Sequence, residues 1–260
     1  MANVFSFDQA LVRSPASTVT QGLRAVDVGA PSYQGVLGEH AAYIEALRAA
    51  GVEVEILEPL PEFPDSLFVE DPALTFTEGA ILLHPGAPSR AGETALIEPV
   101  LRRRFKTVLR IAAGFADGGD VLTLPDRVMI GLSARTDRMG AEALKACLEQ
   151  LGRKAEIAET PAGVLHFKSD CSLLDDHTIL STARLARSGV FGAMRVILTP
   201  PGEDAAANAL RVNDRLLVGA GYAKTVALLR REGYAVTPLE TKEIAKIDAG
   251  LSCMSLRWRR

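Results

Sequence analysis

A unit of two short strands, a helix and a third strand returns along this chain about every 45–55 residues, a period that signals a repeat architecture. In the clearest copy, strands at Ala73–Phe76 and Ala80–His84 flank a Thr-Glu-Gly turn. A helix is expected over Gly92–Arg104 and a strand over Thr107–Ile111. The next copy has strands at Val121–Leu124 and Arg127–Gly131 around Pro125-Asp126, a helix at Arg138–Leu151 and a strand at Lys154–Ala158. A further one runs through Ala209–Val212, Arg215–Val218, helix Lys224–Glu232 and strand Ala235–Pro238. Between these two, Ser172–Ser181 keeps the hairpin, around Asp175-Asp176, but its helix near Ala186–Phe191 is short and broken by glycine. Near the N-terminus, helix Glu39–Ala50 precedes strand Val52–Leu57, and the missing strands are sought in Leu11–Arg13 and the C-terminal segment. Apolar residues at helical spacing, such as Ala42, Ile44, Leu47 and Ala50, give each helix one face to bury. Two architectures satisfy this pattern: an ordinary α/β sandwich with hairpins, or a closed ring of five units in which the chain ends meet. Periodicity alone leaves both open.

The 260 residues suffice for a full core, and no Pro/Ser-rich linker divides them, so residues 1–260 are read as a single domain. Net charge is −3 with no basic block, which points away from nucleic acid and from anionic membranes. No apolar run approaches the length of a membrane span, and Met1-Ala2-Asn3-Val4-Phe5 lacks a basic segment followed by an apolar one. A cytoplasmic location is expected. The three cysteines are widely spaced without Cys-x-x-Cys, which argues for reduced thiols and against a disulfide framework or structural zinc. Neither Pro-Gly-Ala-Pro-Ser-Arg nor Asp-Gly-Gly-Asp has the spacing of a nucleotide-binding loop. No cofactor and no metal are expected.

Chemistry concentrates in a few places. Cys253 lies between Ser252 and Ser255, just after the tight Asp248-Ala249-Gly250 turn, where a thiol can be presented. Most free cysteines are instead small buried hydrophobes. Cys147, on a helix face with Ala143, Leu144 and Leu148, and Cys171, at the start of a strand, fit that description. His166 is flanked by Val164, Leu165 and Phe167 and reads as emerging from a core strand. His40 reads as part of a helix start, His84 as a strand end and His177 as an exposed hairpin turn. With Asp117, Cys253 and His166 complete the parts needed for a thiol nucleophile. In Phe63–Pro72 three acids, Asp65, Glu70 and Asp71, share a segment with Leu67, Phe68 and Val69. Half-buried acids need partners or await a cation, so this stretch reads as a cation-binding wall, with capping by Asp65 and Asp71 the alternative. Arg90 and Arg135 each follow a strand and precede a helix. As a pair they suit a carboxylate; singly, each would be a solvent-exposed loop arginine.

In order along the chain, Phe63–Pro72, Leu83–Arg90, Asp117–Leu122, Gly131–Thr136, Leu165–Ser169 and Ile247–Leu256 resemble the dimethylarginine dimethylaminohydrolase family. That family belongs to the guanidino-group-modifying superfamily, which also holds the arginine deiminases. The resemblance implies an α/β fold, a five-bladed pseudo-symmetric propeller of ββαβ repeats. It implies Cys253 as nucleophile, His166 as general acid/base and Asp117 as the acid that orients His166. Asp71 and Glu70 would face the substrate guanidinium, while Asp65 and the backbone of Leu23 would hold the amino-acid end. Arg90 and Arg135 would bind its carboxylate, and Ile247 would offer a backbone contact near the reacting group. The implied reaction converts Nω,Nω-dimethyl-L-arginine or Nω-methyl-L-arginine to citrulline and dimethylamine or methylamine, through an S-alkylthiouronium on the cysteine. An arginine deiminase-like enzyme and a non-catalytic binder on the same propeller are the alternatives. Arginine deiminases resemble His-x-Asp at the catalytic histidine, whereas this chain reads His166-Phe167-Lys168 and lacks room for their extra helical domain. His84, in place of an arginine before Pro-Gly-Ala, and Phe167, in place of leucine, depart from the family pattern. The expected partner is a small-molecule substrate, and a homodimer is compatible with the sequence.

Overall fold

The computed structural model describes residues 4–260. Met1, Ala2 and Asn3, part of the N-terminal stretch read above as lacking a leader, lie outside the described residues. Fifteen strands form five three-stranded sheets. The chain enters through β1 (Gln9–Arg13), helix α1 (Tyr33–Ala49) and β2 (Glu53–Leu57). Next come β3 (Ala73–Phe76), β4 (Gly79–Leu82), α2 (Glu93–Arg104) and β5 (Val108–Arg110), then β6 (Val121–Thr123), β7 (Val128–Leu132), α3 (Arg138–Gln150) and β8 (Ala155–Glu159). The fourth unit comprises β9 (Cys171–Asp175), β10 (Thr178–Ser181), α4 (Ala183–Ala186) and β11 (Arg195–Leu198). The fifth comprises β12 (Leu210–Val212), β13 (Arg215–Gly219), α5 (Ala223–Arg231) and β14 (Val236–Leu239), and β15 (Leu256–Trp258) ends the chain.

Every sheet has one plan. The middle strand pairs antiparallel with the strand before it through a hairpin and parallel with the strand that returns from the helix. In the first sheet the hairpin partner comes from the other end of the chain: β1 pairs antiparallel with β15, Gln9 opposite Trp258, and parallel with β2. A buried apolar cluster fills each seam between neighbouring sheets. Leu11, Val69, Leu82 and Trp258 join the first to the second. Ile81, Ile130 and Leu144 join the second to the third, and Leu122, Phe167 and Ile179 the third to the fourth. Leu180, Leu216 and Leu229 join the fourth to the fifth, and Val12, Leu47, Leu217 and Met254 return to the first. Five sheets with five shared cores make the ring, and the sandwich reading falls away. Asn213 stitches the last seam. It occupies the hairpin after β12 at φ 53, a left-handed conformation asparagine tolerates better than most residues. Its Oδ1 accepts from the Phe7 N–H at 2.9 Å, and its Nδ2 donates to the carbonyls of Phe7 (3.0 Å) and Ala50 (2.7 Å).

Three local expectations change. Helix α1 starts at Tyr33, not Glu39, because the Ser32 hydroxyl accepts the Gly35 N–H and Val36 is fully buried. His40 therefore sits in mid-helix. The propensity cost of Gly35 and Gly38, about 1 kcal/mol each, is outweighed by that burial. Helix α4 is one turn earlier than Ala186–Phe191 and one turn long, capped by the Thr182 side chain and followed by Gly189 at φ 73. His166 belongs to no strand: extended but unpaired in a sheet, it precedes the 3-10 turn Phe167–Ser169. No helix among the described residues is long and apolar enough to cross a membrane.

Candidate active site

The expected site residues lie mostly in the segments before the innermost strands. Asp65, Glu70 and Asp71 precede β3, Asp117 precedes β6, His166 precedes β9, Asn208 precedes β12 and Cys253 precedes β15. One position in each of five repeats thus faces a common centre, although the sequence distances are large.

Asp117 is fully buried, and its Oδ2 lies 3.0 Å from His166 Nε2. Its other oxygen accepts the Gly86 N–H at 2.8 Å, which fixes the carboxylate plane. Asp120 holds the other side of the histidine segment. It accepts from the Phe167 N–H (2.8 Å) and from the hydroxyls of Ser133 and Thr136 (2.7 Å each). Burial pushes the Asp120 carboxyl up to about 6, against the pull of His166 and those hydroxyls. Burial alone would push the His166 imidazole down; the Asp117 hydrogen bond and the charges of Asp71 and Asp120 outweigh it and hold the pKa at about 9. The histidine is therefore a cation at neutral pH. Gly119 makes this closeness possible, since a Cβ there would stand 2.8 Å from His166 Cγ and 3.1 Å from Asp71 Oδ1.

Asp71 accepts the Gly119 N–H at 3.0 Å and pairs with the guanidinium of Arg90. Burial raises its carboxyl, but Arg90 and His166 pull harder and leave it below the usual carboxylate range. Glu70 is equally buried. Its Oε1 meets Lys168 Nζ at 2.7 Å and Arg257 Nη2 at 2.9 Å, while its Oε2 has no hydrogen-bond partner.

Cys253 is buried in the turn after Gly250, and its carbonyl accepts the Glu70 N–H at 3.2 Å. Burial pushes the thiol up to about 11, and the charges of Asp71 and Glu70 add to the effect. The one side-chain amide beside the sulfur belongs to Asn208, with Nδ2 3.9 Å from Sγ and Oδ1 accepting the Ser252 N–H at 3.1 Å. A Cβ on Gly250 would fall 2.3 Å from Asn208 Cγ, so the turn can press against that amide only with glycine there. A cavity of about 220 Å3, bordered by Leu165, Asn208, Tyr222, Asp248 and Gly250, flanks this corner.

At the outer end the Leu23 N–H donates to Asp65 Oδ1 at 3.0 Å, which brings these two expected contacts together. The Asp248 carboxylate accepts the Ala25 N–H, pinning the same loop a second time. Ile247 is buried at the end of the 3-10 turn Ile244–Ile247, whose first N–H groups are capped by Glu39 of α1. Arg135 is half-buried with no ion-pair partner among the described residues, and its charge is felt by Asp65 and Asp248. Arg90 differs from its twin. It is buried, not an exposed loop arginine, and forks onto Glu93 at 2.9 and 2.7 Å. It also pairs with Asp71 and donates to the carbonyls of Asp65 and Phe68. These bonds leave it one unused N–H, so in this state Arg135 is the open cation of the pair.

Asp71, Asp117 and His166 each bring one potential ligand atom within 4.8 Å of the others. The carboxylates and the imidazole are already engaged with Arg90, Gly119, Gly86 and one another. The two departures lie aside: Phe167 is fully buried against Phe191, and His84 Nδ1 rests 3.4 Å from the Gly114 carbonyl. Sequence reasoning missed Asp120 and Asn208. Asp120 was visible as the second acid of Asp117-Gly118-Gly119-Asp120, and Asn208 as a lone polar residue among alanines before a strand.

Comparison with known proteins identifies the family. An arginine deiminase family profile matches residues 58–188. An N(G),N(G)-dimethylarginine dimethylaminohydrolase of Pseudomonas aeruginosa PAO1 is 39% identical over 97% of this chain and 100% of its own. One from Streptomyces coelicolor is 34% identical over 96% of this chain and 97% of its own. A solved structure of DDAH from P. aeruginosa, a cysteine-to-serine mutant complexed with citrulline, superposes with a TM-score of 0.94 at 38% identity, covering 97% of this chain and 100% of that one. Near-complete coverage at such identity, on a ring of the same shape, makes this chain a member of the dimethylarginine dimethylaminohydrolase family.

Proposed function

We propose that the protein hydrolyses Nω-methylated arginines, Nω,Nω-dimethyl-L-arginine and Nω-methyl-L-arginine, to citrulline and the corresponding amine. The observation that carries this reading is a buried thiol held near 11 beside two buried carboxylates. Such a thiol is inert at neutral pH until a cation enters beside it, and a guanidinium is both that cation and the electrophile.

Asp71 and Glu70 receive the guanidinium, and the unpartnered Oε2 of Glu70 is an acceptor ready for one of its N–H groups. The substrate charge offsets the two carboxylates, so Cys253 loses its proton to solvent and the thiolate attacks the central carbon. The tetrahedral adduct collapses when His166, already protonated, gives its proton to the departing dimethylamine. A planar S-alkylthiouronium remains on Cys253. The now neutral His166 takes a proton from water, hydroxide adds to the same carbon, and the C–S bond breaks as the hydroxyl proton passes to the departing thiolate, releasing citrulline. Asp117 stabilises the imidazolium at both stages and fixes the ring through its 3.0 Å contact with Nε2. Arg135 and the Leu23–Asp65 corner suit the substrate carboxylate and α-amine. Arg90 and Glu93 hold Asp71 in place from behind. Lys168 stands where deiminases carry an acid, and its ammonium group offers no acceptor for an extra N–H, which favours a methylated nitrogen.

Three free cysteines support a reducing, cytoplasmic setting. Incubation with asymmetric dimethylarginine and, separately, arginine tests the reading. Citrulline with dimethylamine from the first alone is expected. Ammonia from arginine would move the protein to the deiminases, and undiminished turnover by Cys253→Ser would overturn the thiol mechanism.

A further inference from the structure

A second and larger cavity, about 470 Å3, has none of Cys253, His166, Asp117 or Asp71 in its walls. Residues of β3, β6, β9, β12 and β15 all line it, so it lies on the axis of the ring. Its charge is one-sided. Six cations, Arg153, Lys168, Arg211, Arg257, Arg259 and Arg260, face a single acid, Glu70, in a protein whose net charge is −3. Some of this is compensated from outside the cavity: Arg153 pairs with Glu78, and Arg260 approaches Glu53. The rest is not. Lys168 and Arg257 share one oxygen of Glu70. Among the described residues, Arg211 meets the carbonyls of Asn213 and Leu174 and the ring of Phe5, and Arg259 meets the Ser6 hydroxyl. Three positive charges therefore stand around one cavity without a counter-charge among the described residues. Three buried polar atoms that lack partners belong to residues of the same walls: Ser172 Oγ and Arg257 Nε, which can donate to an anion, and the acceptor Glu70 Oε2, which cannot. Uncompensated charge in a partly enclosed cavity is costly and concentrates a counter-ion. Guanidinium groups match oxyanions best, because their paired N–H donors fit two oxygens at once.

We propose that this axial cavity binds a small multivalent oxyanion, phosphate or a compact polycarboxylate, held by Arg211, Arg257 and Arg259 and sensed at Cys253 through Lys168 and Glu70. Occupancy draws Arg257 and Lys168 toward the anion. Glu70 then loses part of its compensation, and its peptide N–H is bonded to the Cys253 carbonyl. A less compensated carboxylate beside the thiol disfavours thiolate, so the anion slows reactions of Cys253. The binding claim stands apart from the proposed function; only the sensing claim rests on Cys253 as nucleophile.

The test is calorimetric titration of the full chain with inorganic phosphate and with citrate, at ionic strength fixed by sodium chloride. Wild type is compared with Arg211→Gln and, at the exposed rim, Arg259→Gln. Saturable one-to-one binding of at least one anion, weakened about tenfold or more in each variant while the melting curve is kept, is the expected result. Saturating anion should also slow iodoacetamide alkylation of Cys253 in wild type and not in the variants. Absence of saturable binding, or equal binding by both folded variants, overturns the site. Binding that leaves alkylation unchanged overturns the sensing. Failure of dimethylarginine hydrolysis with anion binding intact would instead count against the proposed function alone.

Discussion

A cysteine with its pKa at about 11 is a poor nucleophile, and its inertness comes first from burial and then from the charges of Asp71 and Glu70. Alkylation by neutral iodoacetamide should rise about tenfold per pH unit from 7 toward 10, with a midpoint near the same value of about 11. A cationic amidine of equal size should react faster and with a lower midpoint; identical profiles would show that charge in the site does not control the thiol. Asn208 offers the sulfur its only side-chain amide, so Asn208→Ala should slow iodoacetamide about threefold to tenfold and move the midpoint upward. An unchanged pH profile in that variant would reduce Asn208 to packing. His166 makes a second prediction. Its pKa is raised by the fold from 6.5 to about 9, so the native state favours the protonated form. That stabilisation is complete below about 6.5 and is lost as pH rises through 9. The urea midpoint should fall across this window, and fall less in His166→Gln.

At the scale of elements, the short segments ahead of the innermost strands do the positioning, and other elements hold them. Glu39 of α1 accepts the N–H groups of Glu243 and Ile244, at 2.8 and 2.9 Å, and so sets the turn that leads to Asp248 and Cys253. Glu39→Gln, with one acceptor fewer, should cost about 1 kcal/mol of stability and raise the KM for dimethylarginine severalfold with kcat less affected; unfolding and steady-state kinetics check both. The same segments explain what could be read beforehand. Hairpins such as β3–β4 and β6–β7 announce themselves through local alternation and turn residues, and their boundaries shift by only a residue or two. The start of α1 was hidden because Gly35 and Gly38 interrupt the local pattern, and only the packing of Val36 and Tyr43 reveals it. Arg90 looked like an exposed loop residue because its partners, Glu93 aside, lie 19 to 25 residues upstream, in the segment ahead of β3. The parts Cys253, His166 and Asp117 were legible as residue types. Lys168 paired with Glu70, Asp120 behind the histidine and Asn208 beside the sulfur are relations between repeats, which no local pattern encodes.

At the scale of the molecule, stability depends on closing the ring. Asn213 spans the closing seam with three side-chain hydrogen bonds at a left-handed position. Asn213→Ala should therefore cost about 2 kcal/mol, lowering the urea midpoint without changing the slope; a loss no larger than at an exposed site would place the closure elsewhere. The first sheet, made from both ends of the chain, has a further consequence for the nascent protein on the ribosome. Strand β1 emerges early and must wait for β15, its antiparallel partner, which is translated last. Cys253 precedes that strand by only three positions. A product terminated before Cys253 thus lacks both the thiol and the strand that completes the first sheet.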